Sequence, residues 1–250
     1  MTEESYCELP NYEEKTNQLI KMAHAINIIT DQQIISGSIA QTLYLGFTTR
    51  PATDLDIILP ENIVLTQNIS ELSNILNNNY ILTSNHLSTR GGYRFKLMYT
   101  QPKKQHTTRE YISIDVKNLD ELYTMKANLK LIKLERLIAN KLATTLIGDG
   151  KEHYIRIKDF YDLAFLLESL DFNDDEVFFH LANRLINNNI LDINDTFLFS
   201  PNSIDNYLDI YHLVKNKYQF QNNINLFKAK LYLKTHTFSI NNAINYQKTC

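Results

Sequence analysis

The chain has 250 residues, a formal net charge of −3, 44% hydrophobic and 21% charged residues, and two cysteines. A chain of this length can bury roughly 70–75% of its unfolded surface in one or two domains. Cys7 and Cys250 lie at opposite ends, which excludes a disulfide framework or a thiolate metal site, and the charge balance gives no global pull toward nucleic acid or anionic membrane, so any polyanion contact must come from a local basic face.

The acidic opening MTEESYCELPNYEEK has no apolar core segment, and no run of about 18 apolar residues occurs after it. The sequence therefore reads as an intracellular, reduced, cytoplasmic protein with no membrane partner. A helix is predicted around Lys15–Ile28, packed against a sheet. Up to about Val116, short β-rich runs recur between turn signals: Gln33–Ser36, Leu55–Leu59, Tyr80–His86, Tyr93–Thr100 and Tyr111–Val116. Gly91-Gly92 reads as the hinge of a hairpin joining the third and fourth runs, and Ile39–Leu45 and Ile63–Leu76 carry apolar residues at helical spacing. From Leu119 onward apolar residues recur at three and four, as in Leu131, Leu134, Ile138 and Leu142, and again in Phe160, Leu163, Ala164 and Leu167. All six glycines lie within the first 150 residues, so nothing breaks a helical bundle in the last hundred. The GDGK turn at Gly148–Lys151 and the polar stretch Asn187–Asn194 separate its helices. The expected fold is α+β: a mixed β-sheet domain with flanking helices over residues 1–117, then a helical domain over 118–250.

The first chemical signal is IISGSIAQTLYLGFTTRPATDLDIIL. Gly37-Ser38 follows a short strand and opens a helix, and Asp54 and Asp56 head the next strand. Side chains two apart on a strand face the same way, so the two carboxylates converge, as a hard cation such as Mg²⁺ requires. The Gly-Ser turn offers backbone N–H groups to a phosphate. Either element alone is common as a tight turn or a solvated acid, but strand, turn, helix and strand in this order describe a metal–nucleoside triphosphate site. Asp115 ends the alternating strand REYISIDVK, either as a third carboxylate for that site or as a cap on the next helix. Lys141 interrupts the apolar stripe Leu134, Leu137, Ile138, Leu142. Its ammonium needs a triphosphate or carboxylate partner, unless the stem snorkels. Asp159 and Asp162 stand three apart on a helix that is otherwise apolar from Phe160 to Leu167; Asp159 alone reads equally as a first-turn acid.

The Gly-Ser turn, helix and Asp-Leu-Asp strand, fifteen residues apart between Ser38 and Asp54, resemble the nucleotidyltransferase superfamily of DNA polymerase β type, and more closely its AbiEii/MenT branch. Thr49-Arg50, the "ANKL" lysine at 141, and Lys158-Asp159-Phe160-Tyr161-Asp162-Leu163 match the branch's remaining motifs in order, over roughly residues 30 to 170. The chain departs from the branch in reading Ser-Gly-Ser for Gly-Gly-Thr, in Lys158 for an arginine, and in a short C-terminal helical region.

The resemblance implies a Mg²⁺-dependent enzyme, with Mn²⁺ as the substitute ion, that moves a nucleoside monophosphate from a nucleoside triphosphate to an acceptor hydroxyl and releases pyrophosphate. Asp54, Asp56 and Asp115 are the implied metal ligands and, with Lys141, the catalytic set; Gly37, Ser38, Arg50, Lys141, Lys158, Asp159 and Asp162 are the implied nucleotide-binding set. The helical domain is expected to contribute to the same cleft. The implied acceptor is the 3′ end of tRNA, the implied role that of a toxin, and the implied antitoxin one that acts indirectly. Lys126, Lys130 and Lys133, with Arg136, fall at four and three along what reads as one helical face, either a phosphate track or a solvated face. Lys103 and Lys104 are a weaker candidate, and His86, His106 and His153 have no metal-ligand spacing. An antibiotic-type nucleotidyltransferase with a small-molecule acceptor, or a catalytically silent nucleotide-binding module, are the alternatives; the first predicts an acidic acceptor pocket, the second no need for four coordinated charges.

Overall fold

A computed structural model describes residues 10–60, 74, 80–87, 93–102, 107–118, 121–147, 153–196 and 228–249. The expected helix at 63–76, the Gly91-Gly92 hinge, Lys103, Lys104, His106 and the 148–151 turn lie outside the described residues. The chain divides into two compact units, Met1–Ile132 and Lys133–Cys250.

In the first unit, helix α1 (Pro10–Ile29) carries Leu19, Met22, Ala23 and Ile26 at helical spacing, all fully buried. It packs on α2, β2 and β7. Strand β1 (Ile34–Ser36) runs directly into α2 (Gly37–Leu45), which ends at Gly46 in the left-handed conformation, φ 78°. There the Gly46 N–H closes on the Thr42 carbonyl, a glycine helix stop. Strands β2 (Asp54–Leu59), β3 (Tyr80–Leu87), β4 (Tyr93–Pro102), β5 (Thr107–Asn118), β6 (Tyr123–Lys126) and β7 (Leu129–Ile132) join β1 in one sheet of order β3-β4-β5-β2-β1-β7-β6. β2 runs parallel to β5 and β1 parallel to β7, while the other neighbours are antiparallel. The five strand runs read from the sequence are β1 to β5.

Residues 123–132 correct the expectation of helix from Leu119 onward. They form the β6–β7 hairpin, and β7 buries Leu129, Leu131 and Ile132 beside β1. Ala127 (φ 50°) and Asn128 (φ 60°) turn the hairpin, both with positive φ, as a two-residue turn matched to strand twist requires. Tyr44 on α2 donates its hydroxyl hydrogen to the Ile132 carbonyl at 2.8 Å, and Lys126 Nζ donates to the Tyr44 carbonyl at 2.8 Å. These bonds tie the hairpin to the helix that continues from β1.

The second unit contains α3 (Leu134–Ile147), α4 (His153–Ser169), α5 (Asp174–Ile186), a 3₁₀ turn (Ile193–Asp195), α6 (Lys228–Thr235) and α7 (Thr237–Thr249). α3 packs on α4 and α5, α5 on α7, and α4 on α6. Leu137, Ile138, Leu142, Leu146, Leu163, Leu166, Val177, Leu181 and Leu185 make the core. Asn173 caps α5, its side chain accepting from the Asp175 and Glu176 N–H groups, and three acids fill the first turn where the helix dipole favours them.

Ala127 bears a steric penalty in the left-handed region that Asn tolerates more easily, and Gly at 128 has none. The double variant A127N/N128G is expected to stabilise the protein by about 1 kcal/mol, read as a rise in thermal midpoint of roughly 2–4 °C.

Candidate active site

The strand–helix junction at Gly37 brings the first elements of the site together. Gly37 has φ +63°, and an ideal Cβ placed on it would lie 1.9 Å from Oδ2 of Asp56. The Asp56 carboxylate therefore occupies the space that any other residue's Cβ would fill. Two constraints demand glycine here: the left-handed backbone and the acid pressed against it. Register explains the approach, because Ser36, the last residue of β1, lies opposite Asp56. The helix that starts at Gly37 directs its unpaired N–H groups and positive dipole end toward the same region. Ser36 makes no side-chain cap there, and Ser38 is half-buried, its carbonyl accepting from Thr42 Oγ1 at 3.0 Å.

Asp54 and Asp56 are both half-buried on β2, whereas the intervening Leu55 and the following Ile57 are buried. Thr53 Oγ1 donates to Asp54 Oδ1 at 3.0 Å. On the approach to β2, Thr49 and Arg50 are buried: Gln41 Nε2 donates to Thr49 Oγ1 at 3.1 Å, and Arg50 Nη1 donates to the Pro51 carbonyl at 3.2 Å. Asp115 occupies the register position beside Asp56 on the parallel strand β5. Among the described side chains no group of three acids, histidines or cysteines gathers to hold a metal. Asp54 and Asp56 supply the oxygen donors that are described, and oxygen donors are what Mg²⁺ or Mn²⁺ takes. Sequence reading misses Arg94 and Lys96. They are exposed on β4 in the same register rows as Asp115–Asp56 and Ser113–Asp54; the alternation YRFKLMY signals a strand, but rows across strands are not written in one segment.

The second unit holds a charged cluster of its own helices. Lys141 is only 7% exposed, and its Nζ lies 2.6 Å from Asp162 Oδ2 and 3.6 Å from Asp159 Oδ1. Asp162 is fully buried and Asp159 nearly so. The lysine that interrupts the apolar stripe of α3 thus meets carboxylates of α4, not water, which removes the snorkelling alternative. Lys158 stands half-buried beside Asp159.

The basic run read as one helical face is dispersed. Lys126 ends β6 against Tyr44, and Lys130 lies on β7 with Nζ 5.0 Å from the Tyr123 ring centroid. Lys133 pairs with Glu176 at 3.4 Å, and Arg136 approaches His180 at 3.5 Å. The four do not share one helical face, because the first two are in a hairpin and only Arg136 lies within α3.

A strand running through glycine into a helix, an acid pair on the neighbouring strand and a mixed sheet with attached helices define a nucleotidyltransferase-type enzyme. The sequence profile of the nucleotidyl transferase AbiEii toxin family, type IV toxin–antitoxin system, matches residues 34–211. The chain belongs to that family. Among solved structures it is similar to JHP933 from Helicobacter pylori, at 22% identity and TM-score 0.56, over 94% of this chain and 96% of that one. It is also similar to a candidate nucleotidyltransferase from H. pylori, at 20% identity and TM-score 0.58, over 95% and 98% of the two chains. These likenesses show the fold. No curated protein matches the chain. No helix among the described residues is long and apolar enough to cross a membrane.

Gly37→Ala forces a Cβ into the Asp56 carboxylate and strains a left-handed backbone. It is expected to cost about 1–2 kcal/mol from the backbone alone, plus a steric component that is largely relieved when Asp56 is also Ala, whose Cβ stays 3.2 Å away. A double-mutant cycle read by chemical denaturation checks this. In the second unit, Lys141→Met removes the ammonium that faces two buried acids and should cost about 3–5 kcal/mol, whereas Lys141→Met with Asp162→Leu recovers part of the loss, Asp159 keeping its charge. Equal instability of the two proteins would show that the pair is not the dominant interaction of Lys141.

Proposed function

We propose that this nucleotidyltransferase moves a nucleoside monophosphate to the 3′ end of tRNA in a Mg²⁺-dependent reaction. We propose further that it acts in the cytoplasm as a toxin whose antitoxin works without binding it. The observation that carries the transfer reading is the seat of the Asp56 carboxylate at the start of α2, with Asp54 two residues before it on the same strand. A metal-bound triphosphate needs oxygen donors for the cation and N–H donors for the phosphates within one small region. Here both come from one short segment, with only fifteen residues between Ser38 and Asp54.

Asp54 and Asp56, with Asp115 at the adjoining register position, would hold the divalent cation. When bound, such an ion neutralises charge on the phosphoryl oxygens. Gly37 and Ser38 present helix N-terminal N–H groups to the triphosphate, and Arg50 fixes the turn that delivers Asp54 to its place. The acceptor hydroxyl oxygen forms its bond to the α-phosphorus in line with the departing pyrophosphate. The α–β phosphate P–O bond breaks, and the hydroxyl proton passes to the Asp115 carboxylate and on to solvent. Catalysis by this set is positioning and electrostatic compensation. Lys141, Lys158, Asp159 and Asp162 of the helical unit are assigned to nucleotide binding on the family's motifs. The tRNA acceptor rests on the family resemblance, since the Lys126–Arg136 run that would have supported it is dispersed.

The test is incubation of purified protein with Mg²⁺, each labelled nucleoside triphosphate and total tRNA, beside Asp56→Ala. Label is expected on RNA with one triphosphate, reduced about 10²–10³-fold in the variant. Label appearing instead on a small cationic acceptor would replace tRNA by the antibiotic-type reading; metal-dependent triphosphate binding with no transfer to any acceptor would leave a silent module. The same assay on Lys141→Met with Asp162→Leu, a protein expected to fold, separates the two roles of the buried cluster. Retained transfer would make it purely structural.

A further inference from the structure

We infer that Arg94 and Lys96 on β4 form a phosphate-binding extension of the acid-pair site, an inference that rests on the nucleotidyl-transfer reading above. The register places two polar rows across the sheet. One runs Ser36, Asp56, Asp115, Arg94 over β1, β2, β5 and β4; the other runs Asp54, Ser113, Lys96 over β2, β5 and β4. The row between them, Leu55 beside Ile114, and the row beyond Asp56, Ile57 beside Val116, are apolar and buried. Because residues in register share a face and neighbours along a strand alternate, Arg94 and Lys96 lie on the Asp54–Asp56 face of the sheet, and both are exposed. With adjacent strands about 4.8 Å apart, β4 lies roughly 10 Å from β2 across the sheet. That span suits a long cationic side chain reaching a phosphate held near the acids.

The chemistry of the face favours this use. Three acidic positions, 54, 56 and 115, repel every anion unless cations accompany it, yet the reaction brings a triphosphate to them. A divalent ion answers the charge directly on the acids. Phosphates farther out need fixed cations on the same face, and Arg94 and Lys96 are the cationic residues that the two rows supply. An arginine there can grip a phosphate with two parallel N–H groups, while a lysine acts as a point charge. The anion bound is either an outer phosphate of the triphosphate or a phosphodiester of the acceptor strand; both present the same oxygens.

The experiment compares the native protein with Arg94→Gln/Lys96→Gln and with the charge-keeping pair Arg94→Lys/Lys96→Arg. It measures equilibrium binding of each Mg²⁺–nucleoside triphosphate, equilibrium binding of a labelled single-stranded RNA oligonucleotide, and label transfer. Weakening of about tenfold or more in the glutamine variant, restored by the charge-keeping pair, is expected. The salt dependence of binding should fall by about one unit of slope per cation lost. Weakened triphosphate binding assigns the anion to the nucleotide; weakened RNA binding with unchanged triphosphate binding assigns it to the acceptor. Unchanged affinity and unchanged salt slope for both, in a variant whose thermal midpoint is native, would overturn the proposal. Transfer that is absent in the native protein while the variant still loses phosphate binding would instead strike the transfer reading and leave the anion site standing. A native protein that binds neither probe overturns both.

Discussion

The approach of the Asp56 carboxylate to the α-carbon of Gly37 is the constraint on which the first unit's chemistry depends. An oxygen 1.9 Å from where a Cβ would stand means that the helix start and the acid strand cannot be separated by a side chain. The strand order obeys the same demand: β1 must lie directly against β2, and Ser36 must face Asp56, for the helix to begin at the acid. An acid so near a helix N-terminus is compatible with folding because the dipole there stabilises negative charge. The remaining sheet then sets what lies beside the acid, with β5 on its other flank and β4 next to that.

The second unit solves a different electrostatic problem. Lys141, Asp159 and Asp162 compensate one another within a helical core, at 2.6 and 3.6 Å, in surroundings where a lone charge would be costly. This geometry changes how the sequence is weighed. Four coordinated charges speak against an inert module when only the sequence is considered, yet Lys141 has a folding role that needs no substrate. The case for catalysis therefore rests more on Asp54 and Asp56, which are half-buried with a glycine made to fit one of them, than on the buried lysine.

Much of the fold is legible in the sequence because the relevant signals are local. Asp-Leu-Asp-Ile-Ile-Leu alternates and then turns wholly apolar, which reads as a strand with its acids at one end, and the glycine before Ser38 marks the sharp junction. The β6–β7 hairpin reads wrongly as helix for an equally local reason. Leu131, Leu134 and Ile138 continue one spacing of three and four through a strand end and into α3, and the turn at Ala127-Asn128 lacks the glycine that would have announced it. Tertiary pairing of β7 with β1 overrides that periodicity. Arg94 and Lys96 escape notice because cross-strand register joins residues from separate segments. Lys141, Asp159 and Asp162 each stand out as anomalies among apolar neighbours, but their mutual distance depends on how α3 and α4 pack, which spacing along one helix cannot express.

The buried lysine–diacid cluster also bears on how such a sequence can drift. Replacing Lys141 alone takes the ammonium from two buried acids, and replacing Asp162 alone removes its nearer partner, so these positions change most easily in concert. Asp54 lies half-exposed on a strand end and carries no comparable folding obligation. A descendant released from selection for its reaction would thus lose the strand acid long before the helical ion pair.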